Sequence, residues 1–467
     1  MSDFFDLQGA KDLNTDAIHI SAVANSKDPV TGAAIDTHVN RAGGTDYTLD
    51  GLYKALGPVV MPWTSAVGGT LTQPNQAFLH PANGNYYSWT GSFPKVVAPG
   101  TDTTSAGSGY VPRISKTESG SGALMRVGGP AILDAERYAL ERASGGSQTI
   151  IYDAQGNANA MFVLPRFSYA DLGMTADMGT GDVTAFDFGS GSIKAEIFIG
   201  AYLASGSGAV SAPRQDPRAS LDHTAARNAC SAKGAGWHLM TAHEWAAIAL
   251  WCMANGYEPI GNTNWGRSHA QTQMVGDRAD NRAPGDAVGT GLTKTGSMGS
   301  EATHTRTLGG IADLVGNVWE WQDGLLLQDG RFKISAYNTQ AEVDWAFADA
   351  FLDASTPTGG SAILSNAVNN RLGAIGDNAN AGNSANVEWR AMTKSGSYVS
   401  NQAMKRLLLE PAGALPQGRI YMRNFGERLP YRGGNWNSGA NAGLAALNLG
   451  GSRAHTSSSL GFRPAFA

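Results

Sequence analysis

The segment from Tyr431 to Ala467, YRGGNWNSGANAGLAALNLGGSRAHTSSSLGFRPAFA, constrains this chain more than any other stretch. Arg432-Gly433-Gly434 and Trp436 open it, and Leu460-Gly461-Phe462-Arg463-Pro464 closes it. The interior is glycine and short side chains, broken by leucines and by one charge, Arg453. Leu447 and Leu449 alternate around Asn448, which is the period of a strand with one buried face. The fold must therefore hold a surface of small side chains on a fixed frame.

Composition supports short elements. Glycine takes 60 of 467 positions, against a usual share of about 7%. Charged residues make up 16%, against about 25%. Both favour turns, loops and short strands over long helices, and the length suits two or three domains. A net charge of −5 without any Lys/Arg cluster argues against a nucleic-acid partner, which needs concentrated positive charge. The longest apolar run, Ala246 to Ala254, falls well short of the about 18 residues of a membrane span, so no membrane insertion is expected. The start, MSDFFDLQGAKD, shows no secretion signal. Cys230 and Cys252 read as small buried hydrophobes.

Residues 1–97 are dense in Gly, Pro, Asn and Thr, with short aromatic runs such as Tyr86-Tyr87-Ser88-Trp89, and read as a small, mostly β module. Residues 98–147 read as a Gly/Ser/Thr-rich linker followed by a short helix beginning at Pro130. A third region, 148–467, opens with strands at Met161–Leu164 and Glu196–Tyr202 and continues with helices at about Ser220 to Lys233 and Ala242 to Ala254. Thr241 and Glu244 form a capping box for the second helix. Trp245, Ile248 and Cys252 then share one face.

Three motifs in this third region stand in a telling order. They are Gly236-Trp237-His238-Leu239-Met240-Thr241-Ala242-His243-Glu244-Trp245, Gly310-Ile311-Ala312-Asp313-Leu314-Val315-Gly316-Asn317-Val318-Trp319-Glu320-Trp321, and the Arg432 to Arg463 frame. Together they resemble the formylglycine-generating-enzyme branch of C-type-lectin-like folds. The resemblance implies an α+β fold: a C-type-lectin-like domain over 148–467, interrupted by an insertion at about 325–425, behind the small β module. The structural frame it implies is Trp319, Trp321, Arg432, Gly433, Gly434, Trp436, Gly461, Phe462 and Arg463. The piece from Pro74 to Val97 resembles the particle-attachment module of phage tail fibres.

Catalytic readings are weighed against these residues. His243-Glu244 begins a zinc-protease motif, but Ala247 stands where the second histidine belongs. The oxidases of the resembling family need a cysteine pair between the two ends of the C-terminal frame, as soft ligand and electron donor. This chain has no cysteine between Trp436 and Gly461. The expectation is a protein with no required cofactor that is not an enzyme. The resemblance also implies a calcium site at Val315, Gly316, Val318 and Glu320, since calcium accepts mixed carbonyl and carboxylate oxygens. The same residues serve equally well as core and as hydrogen-bond acceptors.

The C-terminal segment is most similar to the variable proteins of diversity-generating retroelements, which include phage tropism determinants. There, error-prone copying at template adenines rewrites asparagine codons. Lys, Glu, Gln and Met are unreachable by that route and are absent between Asn435 and Leu460, as is Trp apart from Trp436 in the frame. The resemblance marks Asn435, Asn437, Ser438, Ala445, Asn448, Gly450, Gly451, His455, Ser457 and Ser459 as the changeable, ligand-binding positions. Substitutions at exposed sites usually stay within about 0.5 kcal/mol, so many can be tried on one frame. The expected function is host adhesion as a phage tail-tip receptor-binding protein. That implies a virion protein made in the host cytoplasm, with a host-surface receptor, tail or baseplate partners at the N-terminal module, and a homotrimeric assembly. The alternatives are an enzyme, either a tailspike glycan hydrolase or a formylglycine-type oxidase, and a bacterial variable lectin-like protein outside any phage.

Overall fold

The computed structural model describes residues 37–39, 45–47, 59–64, 67–72, 76–80, 86–101, 110–114, 134–372, 384–413 and 416–467. The chain divides into two compact units, Met1–Asp134 and Ala135–Ala467. The start expected for a helix at Pro130, and most of the linker from Ala98 to Gly122, lie outside the described residues.

In the first unit, Val59–Thr64, Gln76–Leu79, Tyr86–Trp89 and Tyr110–Ile114 form a four-stranded sheet, and Gly69–Leu71 pairs with Lys95–Val97. Leu71, Phe78, Tyr87 and Val97 are its buried apolar contacts. The ammonium of Lys95 lies 4.1 Å from the centre of the Trp89 ring, a cation–π contact between the aromatic run and the strand that follows it.

The second unit holds three large sheets. One runs in the order Trp237–Leu239, Pro464–Phe466, Glu196–Gly200, Ala158–Pro165, Gln148–Tyr152. Another has six strands, ordered Ala385–Glu388, Arg419–Met422, Gly443–Leu449, Tyr431–Gly433, Trp319–Trp321, Leu460–Phe462. The third is ordered Gly359–Ser365, Trp345–Thr356, Arg331–Ser335, Leu325–Gln328, Glu427–Arg428. The chain's final residues join the first two, because Leu460–Phe462 and Pro464–Phe466 sit on either side of Arg463 in different sheets.

The α+β, C-type-lectin-like expectation is corrected here. Strand accounts for 32% and helix for 16%, spread over several sheets, so the protein is mostly β. Among the described residues only Ala135–Ala143, His223–Ser231 and Ala242–Ala254 form helices of nine residues or more. The physical reason is the punctuation. Glycines in left-handed backbone recur through the second unit, and each is a point at which a helix would stop. The stretch from about 325 to 425 contributes further strand, supplying most of the third sheet and two strands of the six-stranded one.

The helix Ala242–Ala254 forms as its sequence predicts. Thr241 Oγ1 accepts from the Glu244 N–H at 3.2 Å, and the Glu244 carboxylate accepts from the Thr241 N–H at 2.9 Å, so two of the orphan N–H groups at the helix start are satisfied. The expected single apolar stripe is too narrow, since every residue from Ala242 to Leu250 is buried, and Cys252 with them. A helix apolar all round belongs inside the core. Trp245 donates its indole N–H to the Leu444 carbonyl at 2.8 Å, tying this core helix to the strand Gly443–Leu449.

Candidate functional site

Residues paired across a sheet point to one face, and neighbours along a strand point to opposite faces. In the six-stranded sheet one row reads Ile420, Leu447, Arg432, Glu320, Gly461. Its aliphatic members join the main core around Trp245. The next row reads Asn386, Tyr421, Asn448, Tyr431, Trp321, Phe462. This opposite face carries a second cluster that includes Trp319, Trp321, Tyr431, Ala446, Leu460 and Phe462.

The frame residues are anchored inside the protein. Arg463 donates from Nε and Nη2 to the two Glu320 oxygens, each at 2.8 Å, and also to the carbonyls of Gly200 and Ala312. Both partners are about fully buried, so this forked pair fastens two sheets together. Arg432 is buried too, donating from Nη2 to the Leu407 carbonyl at 2.8 Å. Its Nε and Nη1 have no partner among the described residues, and desolvation pulls its pKa down to about 9. Gly433 and Gly434 have φ of 92° and 90°. A Cβ there would stand 2.6 Å from the Leu314 oxygen and 2.7 Å from Ala442 Cβ, so only glycine fits. Trp436 packs with Leu203 and Val318, and Trp319, Trp321, Gly461 and Phe462 are all buried.

The calcium donor set does not fit. Both Glu320 oxygens are taken by Arg463, and Gly261 is pressed against the Val315 carbonyl so closely that a Cβ would meet it at 1.6 Å. Gly316 and Val318 are buried in the same turn. Among the described residues no group of three or more His, Cys, Asp or Glu is arranged to hold a metal.

The changeable positions fall in three places. Asn435, Asn437 and Ser438 form a loop in which Ser438 Oγ donates to Asn435 Oδ1 at 2.8 Å and accepts from the Asn435 N–H at 2.9 Å. Asn437 is exposed, and the other two are half-buried. Asn448 and Gly450 lie on and just beyond the outer face, half-buried, with the Gly450 N–H donating to Asn448 Oδ1 at 2.8 Å. His455, Ser457 and Ser459 alternate in a half-buried row with exposed Ala454, Thr456 and Ser458. The His455 ring stacks on Tyr431 with centroids 6.0 Å apart, and partial burial, with the Arg423 charge, pulls its pKa below the usual histidine value. Ala445 and Gly451 are buried, and Ala445 belongs to the main core.

Arg453, the one charge of the segment, is gripped from two sides. It donates to Glu427 from Nε and Nη2, each at 2.9 Å, and to Glu342 from Nη1 at 2.8 Å and Nη2 at 3.1 Å. Arg227 adds bonds to Glu342 and Asp323. The loop bearing His455, Ser457 and Ser459 is thus held to elements of the third sheet by charge-assisted hydrogen bonds.

Sequence reasoning missed the contribution of the 325–425 stretch to this face. Arg419-Ile420-Tyr421-Met422 is a strand whose apolar Ile420 and Met422 are buried while Arg419 and Tyr421 are half-buried. Its two-residue alternation was the available signal. Tyr421 stands beside Asn448 and meets Trp319 edge to face at 6.2 Å. The changeable positions, which carry no large aromatic side chain of their own, gain one from here.

Elsewhere a cavity of about 400 Å³ is lined by Tyr257, Glu258, His269, Arg306 and Gln417 among others. Glu258 accepts from the backbone N–H groups of Gln417 at 2.6 Å and Leu444 at 3.0 Å, and burial pushes its pKa up to about 7. The cysteines are free and buried, and burial raises both thiol pKa values, that of Cys252 to about 12. That is the setting of inert rather than reactive thiols.

No protein-family model matches the chain, and no curated sequence matches it. Among solved structures it is similar to variants of the Major Tropism Determinant. The U1 variant matches at 11% identity over 88% of this chain and 98% of that one, with a TM-score of 0.27. The M1 variant matches at 10% identity over the same shares, with a TM-score of 0.28. A partial match to the enzymatically active domain of bacteriophage CBA120 tailspike protein 4 covers 28% of this chain but only 20% of that chain's length, at 16% identity and a TM-score of 0.12. Scores this low carry no argument about fold or activity, and no family membership follows from them.

Proposed function

We propose that this chain is a receptor-binding protein of a phage tail tip. In this reading its C-terminal segment contacts a host-surface ligand and is rewritten by a diversity-generating retroelement. The observation that carries the reading is the division within the segment itself. Arg432, Gly433, Gly434, Trp436, Leu447, Phe462 and Arg463 are buried, whereas Asn435, Asn437, Ser438, Asn448, His455, Ser457 and Ser459 reach solvent. Side chains of the second kind can change without disturbing the first. Ala445 and Gly451 sit on the buried side, so only small residues are expected there. The accessible groups are amides, hydroxyls and an imidazole, which suit recognition. The N-terminal unit is the proposed particle attachment, and a homotrimer is the proposed assembly, multiplying weak contacts through high effective concentration.

Adsorption of the purified protein to host cells tests the reading. Replacing Asn437, Asn448 and His455 together with bulky residues should abolish adsorption or redirect it to other strains, with the thermal midpoint unchanged. Undiminished adsorption by that variant to the original host would refute it.

A further inference from the structure

The outer face of the six-stranded sheet has an uneven hydrogen-bonding character. Asn386, Asn441 and Asn448 each have the amide oxygen engaged by a group that can only donate. Arg419 Nη1 donates to Asn386 Oδ1 at 2.7 Å, Arg419 Nε to Asn441 Oδ1 at 2.8 Å, and the Gly450 N–H to Asn448 Oδ1 at 2.8 Å. A guanidinium and a backbone N–H have no acceptor capacity, so these amide orientations are fixed by chemistry. Each NH₂ group is left without a hydrogen-bond partner among the described residues, as is the Tyr421 hydroxyl, and all four side chains are half-buried.

Register sets these groups around one ring. Tyr421 pairs with Asn386 on one side and with Asn448 on the other, so the row spans two strand spacings, roughly 10 Å. The ring is steadied edge to face by Trp319. Glu388, beside Arg419 in the register, is held by Arg390 at 2.6 Å.

We infer that Tyr421, Asn386, Arg419, Asn441 and Asn448 form a subsite for a carboxylate-bearing sugar unit of a surface glycan. Donors on both sides of the ring match a ligand rich in acceptors, and the ring takes the C–H face of the sugar. An acidic peptide fits less well, because its backbone adds N–H donors for which this face offers as acceptors only the Tyr421 hydroxyl and the second lone pairs of the amide oxygens. Tyr421, Asn386 and Arg419 lie outside the segment Tyr431–Ala467, so they give every variant a constant anchor, and tyrosine is a usual hot-spot residue. The inference rests on the receptor-binding reading of this face and names its ligand class.

The test is binding of the full chain to immobilised oligogalacturonate, to neutral dextran of equal length, and to polyglutamate. Oligogalacturonate should bind at least about tenfold more tightly than either control, a difference of about 1.4 kcal/mol. Tyr421→Ala should lose that tenfold, Tyr421→Phe should keep most of the affinity, and Asn386→Asp should weaken it several-fold by replacing a donor with a charged acceptor. Equal binding to polyglutamate would overturn the inference as mere charge attraction. So would absence of binding to all three probes while the protein still adsorbs to host cells, an outcome that leaves the receptor reading standing. Failure to adsorb to any host cell would instead sink the receptor reading itself.

Discussion

The two faces of the six-stranded sheet are made from the same strands one residue out of step, yet they obey different rules. On the inner face Leu447, Arg432 and Glu320 meet the core helix and the Arg463 pair, with no polar group in contact with water. On the outer face Asn448, Tyr421 and Asn386 are half-buried and keep donors to spare. A period of two lets one strand carry stability and recognition on alternate residues, so the second can change while the first is kept.

The comparison breaks if the inner face tolerates change. Glu320→Gln leaves Arg463 buried without its counter-charge and should cost about 3–5 kcal/mol in urea unfolding, because an unpaired buried charge is heavily penalised. Leu447→Ala should cost about 2–5 kcal/mol through lost packing and a residual cavity. A larger residue at Ala445, such as leucine, should cost about 1–3 kcal/mol by overpacking. The outward neighbour of Leu447 sets the contrast, since Asn448→Ala should stay within about 0.5 kcal/mol in the same assay.

Acidity sharpens the same contrast. Both His238 nitrogens face acceptors, the Gly236 carbonyl at 2.9 Å and the Glu244 carboxylate at 2.7 Å. Burial opposes the imidazolium charge, but Glu244 outweighs it and raises the pKa above 6.5. The stability from this pair is therefore complete below pH 6.5 and is lost as pH rises through the raised value. His223, His243 and His304 behave oppositely, with burial lowering them to about 4, 4 and 3. Their contribution is complete above pH 6.5 and is lost on acidification toward those values. The His238 contribution should accordingly fall between pH 6.5 and 8.5, and His238→Arg should remove that fall while leaving the loss between pH 6.5 and 5 in place, as followed by unfolding at pH 5, 6.5 and 8.5. A modest loss of stability is expected for Arg453→Ala, whose partners are about one-third exposed. It should cost about 1 kcal/mol or less, while amide exchange over residues 454–459 speeds up.

Much of the local structure around the candidate site was legible in the chain because it depends on near neighbours. The capping box at Thr241 and Glu244, the outward Asn448 between Leu447 and Leu449, and the buried ends of the C-terminal frame all follow from spacing of a few residues. What failed was non-local. The sheets that make the protein mostly β bring Ala385–Glu388 and Arg419–Met422 beside Gly443–Leu449, and nothing in a single strand states its neighbour. Glu320 read equally well as a metal ligand or a hydrogen-bond acceptor until Arg463, far along the chain, was placed against both oxygens. The side chain of Ala445, a changeable position by the motif, falls on the core side of its strand, which spacing alone did not state.

The most direct test of the central claim is deep sequencing of the 3′ end of this gene in a population descended from one clone. The account predicts substitutions at adenine positions in the codons for Asn435, Asn437, Ser438, Asn448, Gly450, His455, Ser457 and Ser459, with only small residues appearing at Ala445 and Gly451. It also predicts none at Arg432, Gly433, Gly434, Trp436, Phe462 or Arg463. Substitutions spread evenly across frame and surface, or a segment that never changes, would contradict it.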